Sequence, residues 1–329
     1  MKKKFINIVL SVVITIGFVF LAFYFVRHRL DTIDVAYSVS VLTDSKWSVF
    51  ILLLVLCLMP VNLLCEAVKW KISVYKLKNL SLKTAFEGIL AGVTAGIFLP
   101  NRVGEFAGKA LSLPMKDFWK GSVLSFYTSF AQLVITLVLG FAAVIYYSPI
   151  LNFYFGIKLS MLPTIISVAC IAFVLFVFFN IHTIELFFKR WEKLHKTISV
   201  LKEIDMMARM RIFALSLLRY IVFATQNLLL LYAFEIDISF IDTFFLVAFM
   251  YFVMTAIPVF VLTDFPARSS VMILIFVVYY NFSGLNAPYA LEAKLIVVSF
   301  LIWFINLILP SVPGIYFLNK LSVLRKKDS

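Results

Sequence analysis

Three charged residues fall close together in an otherwise apolar stretch: Arg102, Glu105 and Lys109, within Phe98-Leu99-Pro100-Asn101-Arg102-Val103-Gly104-Glu105-Phe106-Ala107-Gly108-Lys109. Arg102 and Glu105 are three apart and Glu105 and Lys109 four apart, so a helix would carry all three on one face. A charge at the centre of a bilayer costs ~2.5–3.5 kcal/mol on insertion scales, so such residues face a partner or a wet path. Two chemistries fit. The triad can neutralise itself and pin the local backbone, or it can hold a phosphate. A guanidinium matches a phosphate bidentately, and a helix restarting near Gly104 would add its positive N-terminal end. Asn101, beside the arginine, belongs to the same candidate site.

An acid and a base recur together 159 residues downstream. Glu105 and Lys109 correspond to Asp264 and Arg268 in Val261-Leu262-Thr263-Asp264-Phe265-Pro266-Ala267-Arg268, and Pro100 corresponds to Pro258. Asn62-Leu63-Leu64 is echoed by Asn227-Leu228-Leu229; Asn62 and Asn227 could hydrogen-bond the broken segments beside them, as could Gln132. Glu66 and Lys69, at i and i+3 near the end of an apolar run, read either as a surface ion pair or as the cytoplasmic mouth of the site. Pooled, Arg102, Lys109 and Arg268 against Glu105 and Asp264 leave one positive charge, enough to attract one phosphate.

Enzyme signatures such as H-E-x-x-H, G-x-S-x-G or a P-loop are absent. His28, His182 and His195 are scattered, and Cys57, Cys65 and Cys170 lie singly in apolar runs, so neither a metal, a cofactor nor a disulfide is expected. Glu105 and Asp264 as an acid/base pair leave an intramembrane enzyme open as a lesser alternative.

The positioning framework must be a membrane. Of 329 residues, 63% are hydrophobic and 14% charged, against roughly 45–50% and 25% in soluble domains; the mean hydropathy is +1.03. The 36 Phe and 14 Tyr suit lipid-facing surfaces and interfacial belts. The net charge of +13 lies in short stretches between apolar runs, a topology signal rather than a nucleic-acid surface, and it favours anionic lipid headgroups.

Runs of about 20 apolar residues cross a bilayer. The sequence predicts six full spans, at about 5–26, 48–68, 121–147, 160–180, 212–234 and 292–312, and two broken regions, about 84–113 and 242–281. The segment 5–26 is too long for a signal-peptide core and is expected to be a retained helix. Lys2–Lys4, then Lys69, Lys71, Lys76, Lys78 and Lys83, then the basic stretch 181–211, then the Lys/Arg-rich tail place both termini in the cytoplasm. Acidic 235–242 falls outside; the loop 27–46, with Arg27, Arg29 and Lys46 beside three aspartates, agrees less well. Each broken region then enters and leaves on one side. The expectation is an all-α polytopic membrane protein of one domain, 1–329, with two re-entrant helical hairpins in an inverted repeat: a first helix and external loop (1–47), the first repeat (48–158), a connecting helix and basic loop (159–211) and the inverted second repeat with its tail (212–329). Inverted repeats around broken helices are a transporter signature. Glycines at 88, 92 and 96, and again at 104 and 108, allow the arms of the first hairpin to approach closely.

The Pro100-Asn101-Arg102-Val103-Gly104-Glu105 core, on a hairpin preceded by Asn62 to Trp70, resembles the lysylphosphatidylglycerol synthase transmembrane-domain family over roughly 5–320. That family's second hairpin is usually Gly-rich with a Glu, where this chain has Asp264 to Arg268, and the aminoacyltransferase domain of its bifunctional members is missing. The resemblance implies a flippase-like transporter, not an enzyme, for an anionic phospholipid, glycolipid or polyprenyl-linked lipid in the cytoplasmic membrane. The alternative is a non-transporting lipid-binding subunit of envelope glycolipid or polysaccharide synthesis. Membrane lipids are the expected partners, with a homo-oligomer or envelope-biosynthesis partners possible and nucleic acid excluded.

Overall fold

The computed structural model describes residues 35–97, 102–155, 162–181, 190–259 and 261–327. The predicted first span, the basic N-terminus and Asn101 lie outside them. All regular structure among the described residues is helical. In chain order the helices are α1 (Val35–Asp44), α2 (Lys46–Val74), α3 (Leu82–Ile97), α4 (Gly104–Ala110), α5 (Phe118–Tyr146), α6 (Ser148–Phe155), α7 (Leu162–Phe179), α8 (Glu192–Ile198), α9 (Met206–Ala233), α10 (Phe240–Ala256), α11 (Val261–Ser283), α12 (Leu291–Trp303) and α13 (Leu309–Lys327), the last two joined by a π-helical turn, Phe304–Ile308. Among the described residues, five stretches are long and apolar enough to cross a bilayer: Lys46–Val74, Met115–Tyr146, Met206–Ala233, Thr263–Ser283 and Leu291–Leu321. This is an all-α, membrane-embedded architecture.

The span inventory differs from the expected one. The run at 160–180 folds as α7, whose apolar stretch Pro163–Phe179 is a shorter helix, whereas Thr263–Ser283, read from sequence as one arm of a hairpin, is itself long enough to cross. Pro258 breaks the chain between α10 and α11, whereas Pro266 lies inside α11 without ending it, at the loss of one i→i−4 backbone bond.

Helices α2 and α9 form the antiparallel spine. Ser48 donates to Ala233 O at 3.3 Å, Gln226 to Val55 O at 2.9 Å, and Arg219 to Asn62 Oδ1 at 2.6 Å. Each spine helix starts on a side-chain cap, Ser45 for α2 and Asp205 for α9. One apolar core surrounds the end of the spine that holds Val55, Leu230 and Phe276; a second surrounds the other, with Trp70, Leu124 and Phe178. Tyr146 and Tyr147 bond Asp242 at the first end. At the opposite end Arg209 donates to Ile204 O at 3.0 Å and to the terminal carbonyl of Phe179. Arg209 is therefore buried and ties α7 to α9, so it does not belong to the exposed basic loop to which sequence assigned it.

Helix α4 folds back along α3 on a glycine seam. A Cβ on Gly108 would come within 2.6 Å of Gly92 Cα, and one on Gly104 would collide with Ala95 O. Helix α13 closes over the other side of α3: Thr94 donates to Ser311 O at 2.9 Å, Lys320 holds Glu87 at 2.9 and 3.0 Å, and Gly314 lies directly against Thr94 and Leu90. Gly108→Ala is expected to pry α4 off α3 at ~1–3 kcal/mol, the usual cost of overpacking, and to lower the thermal unfolding midpoint of the detergent-solubilised protein by several degrees. The exposed neighbour Ala107 should accept Ser without such a shift. Equal midpoints for the two variants would refute the seam.

Candidate functional site

The glycine seam brings the first charged cluster together. Because Gly92 has no side chain, Glu105 and Lys109 of α4 can lie flat across α3. Glu105 then sits between two cations, Arg102 Nη2 at 3.0 Å and Lys109 Nζ at 2.8 Å. Lys109, fully buried, continues to Glu66 of α2 at 2.7 Å. Glu66 is 1% exposed and takes two further cations, Lys69 Nζ at 2.9 Å and Arg219 Nη1 of α9 at 2.6 Å. The result is an alternating chain, Arg219–Glu66–Lys109–Glu105–Arg102, with Lys69 on its central carboxylate.

Two expectations are corrected by this geometry. Glu66 and Lys69 are not a surface pair, for both are buried, and Lys69 leaves the set of cytoplasmic loop lysines. Nor is the Arg102, Glu105, Lys109 triad self-contained, since Lys109 divides itself between the carboxylates of two helices. Lys69 Nζ lies 2.9 Å from Glu66 and has no other partner among the described residues. Arg102 adopts φ +57°, a left-handed conformation uncommon outside glycine that costs of order 1–3 kcal/mol and collects at functional sites.

The second cluster lies in α9, α10 and α11. Arg268 Nη2 pairs with Asp264 Oδ2 at 2.8 Å, while its guanidinium lies 5.5 Å from the Tyr251 ring and donates to that hydroxyl at 3.4 Å. Asn227 Nδ2 donates to the same hydroxyl at 2.9 Å. Asn227 thus does bond the second broken region. Asn62, its counterpart, instead orients Arg219 of the spine.

Both clusters line one cavity of about 320 Å³. Asn62, Glu66, Arg102, Glu105 and Arg219 face it from one side and Tyr251, Asp264 and Arg268 from another. An adjoining cavity of about 580 Å³ is walled by Met254–Val259 at the α10–α11 break and shares Arg102, Asp264, Arg268 and Leu307 with the first. Asn227, Lys69 and Lys109 stand behind this lining, and Asn101 lies outside the described residues. Around the site five cations, Lys69, Arg102, Lys109, Arg219 and Arg268, oppose three carboxylates, Glu66, Glu105 and Asp264, leaving two positive charges where the sequence led to one.

The difference is chiefly Arg219, which the sequence reading passed over inside the span 212–234. The signal was present: an arginine in mid-span is expensive and functional by default. Tyr220, Tyr251 and Asn306 were also missed; a lone tyrosine or asparagine in an apolar run carries no comparable signal. Gln132, singled out from sequence, does line the cavity. Compared with known proteins, the chain matches no family model, no curated protein and no solved structure.

Removing one partner of a buried ion pair leaves an uncompensated charge, at ~3–5 kcal/mol. Glu66→Gln should therefore sharply lower the thermal midpoint of the purified protein. Adding Lys69→Leu should restore part of that loss, because Lys69 has no carboxylate partner other than Glu66 among the described residues. Strict additivity of the two changes would show that Glu66 is not the counter-ion of Lys69.

Proposed function

We propose that the protein is a flippase-like transporter that moves an anionic lipid, a phospholipid, glycolipid or polyprenyl-linked lipid, across the cytoplasmic membrane. The observation that carries this reading is the cationic cavity at the junction of the spine, α4 and the α10–α11 break. Buried charge costs too much to be placed there for packing alone, and an excess of two cations attracts a phosphate group. Arg102 and Arg219 end the charge chain on the cavity, Arg102 with its side chain 39% exposed, so guanidinium surface is available to a ligand.

In this reading α3–α4 is a re-entrant hairpin, α10 and α11 approach it from the opposite face with α11 long enough to cross, and both termini are cytoplasmic. Arms α3 and α4, of 16 and 7 residues, reach ~24 and ~11 Å, short of a ~30 Å hydrocarbon core. Both turns border the same pair of adjoining cavities, and irregular backbone at such depth is tolerated where it lines a cavity. The alternation of the spine ends, with Ser48, Ala233 and Asp242 at one and Phe179 and Ile204 at the other, supports the inverted arrangement. The likeness of the Pro100 to Glu105 segment to the lysylphosphatidylglycerol synthase transmembrane family is a further support, one of sequence only.

Two measurements test this. In proteoliposomes, a head-labelled anionic phospholipid should become accessible to an impermeant quencher faster with the protein than without it, and Arg219→Gln should slow that exchange at least tenfold. Lipid binding without exchange would leave the accessory lipid-binding subunit as the better reading. For orientation, in a background lacking Cys57, Cys65 and Cys170, a cysteine at 237 should react with an impermeant thiol reagent on intact cells and one at 75 should not. Labelling at 75 would reverse the topology.

A further inference from the structure

We propose that the cavity selects a phosphate diester whose second ester is an uncharged, hydroxyl-bearing group such as glycerol or a sugar, and that it discriminates against an amine. This inference rests on the lipid-binding reading above and specifies the headgroup. It stands on two kinds of polar group in the cavity lining. One kind is the guanidiniums of Arg102, Arg219 and Arg268. The other is uncharged: Ser129, Gln132 and Thr136, at helical spacing along one face of α5, with Tyr220 of α9 and Asn306 of the π-helical turn.

The unpaired atoms tell which ligand groups each kind wants. Eleven buried side-chain polar atoms lack a protein partner among the described residues, and six of them belong to residues lining this cavity. Such clustering marks a ligand site, because buried polar groups are otherwise paired. Three are donors: Asn62 Nδ2, Arg102 Nε and Arg268 Nε. Asn62 is 2% exposed, and its amide orientation is fixed, since its Oδ1 already accepts from Arg219. The other three are the acceptors Gln132 Oε1 and Asn306 Oδ1 and the hydroxyl of Tyr220, itself 3% exposed. The Asn306 orientation is likewise set, its Nδ2 donating to Ile302 O at 3.2 Å. Phosphate oxygens satisfy the first set, and ligand hydroxyls, which both donate and accept, satisfy the second.

An ammonium could donate to the uncharged acceptors, but the charge of the site disfavours it. Each carboxylate at the site is already committed, Glu66 to three cations, Glu105 to two and Asp264 to Arg268, so none is left to receive it, and the surplus of two positive charges repels it. The volume of about 320 Å³ is at the small end of ligand sites, ~300–1,000 Å³, and suits a headgroup rather than a whole lipid.

The test uses the detergent-purified full chain and competition against a fluorescent phosphatidylglycerol. Phosphatidylmethanol carries the same phosphodiester charge without hydroxyls, and phosphatidylethanolamine replaces them with an amine. Phosphatidylglycerol should compete about tenfold better than phosphatidylmethanol, the factor that one or two net hydrogen bonds supply, and phosphatidylethanolamine should compete least. The double variant Gln132→Leu, Asn306→Leu should erase the preference for phosphatidylglycerol while leaving phosphatidylmethanol unchanged; Arg219→Gln should weaken both equally. Equal competition by phosphatidylglycerol and phosphatidylmethanol in the unaltered protein overturns the inference, whatever the variants do. Should the soluble diester glycerophosphoglycerol bind as tightly as phosphatidylglycerol, the headgroup preference stands and the lipid reading falls. Selective binding without transbilayer exchange likewise leaves the preference intact and removes transport.

Discussion

Glu66 is the group on which the rest depends. One carboxylate, almost wholly out of contact with solvent, draws Lys69 from its own helix, Lys109 from α4 and Arg219 from α9 to within 2.6–2.9 Å. Bringing four charges out of water is costly, and the cost is recovered only if the partners arrive with the right geometry. That condition constrains three helices at once. The spine must be in register, so that Arg219 faces Glu66 and Asn62. The glycine seam must close, so that Lys109 reaches across. With Lys109 in place, Glu105 is positioned, and through it Arg102. A carboxylate at position 66 thereby fixes the side chain of Arg102, three ion pairs away.

The cationic excess follows from the same arrangement. An ion-pair network with equal numbers of each sign would be a structural clasp and nothing more. Here cations outnumber carboxylates, and the chain ends in arginines on the cavity rather than in acids. Lys69 and Lys109 are locked behind the lining, where their charge raises the local potential without offering a contact, whereas Arg102, Arg219 and Arg268 lie on the cavity itself. In a low-dielectric surrounding such a potential acts more strongly than the same charges would at a surface. The division between background charge and cavity-lining guanidinium is what separates a site from a clasp.

Much of this was legible in the sequence, and the failures have physical causes. Apolar run length placed four of the described spanning stretches, because membrane-spanning helices announce themselves by composition. The charged residues Arg102, Glu105, Lys109, Asp264 and Arg268 stood out because charge in an apolar run is rare. What spacing along one chain does not reveal is which helices become neighbours. Glu66 therefore read as an interfacial residue paired with Lys69, and Arg219, which completes it, went unremarked in its own span. Pro258 and Pro266 illustrate the same limit. Pro258 falls between α10 and α11, while Pro266, only eight residues on, is carried inside α11 at the loss of one backbone bond.

The local irregularities of the molecule gather on the cavity. Arg102 holds a left-handed backbone conformation, the α10–α11 break supplies non-helical backbone at 257–259, and the π-helical turn at Phe304–Ile308 presents Asn306 and Leu307 to the same space. Each departs from regular helix, which in a bilayer is the least costly way to satisfy backbone polar groups. A π turn inside a helix and a positive φ on an arginine persist only where surrounding contacts over-determine them. Here those contacts are the Glu66 chain on one side and the Arg268–Tyr251–Asn227 cluster on the other. The rigid ion-pair core and the irregular segments are thus two parts of one device: the first sets the charge, and the second shapes polar space at a depth where regular helices would leave only apolar surface.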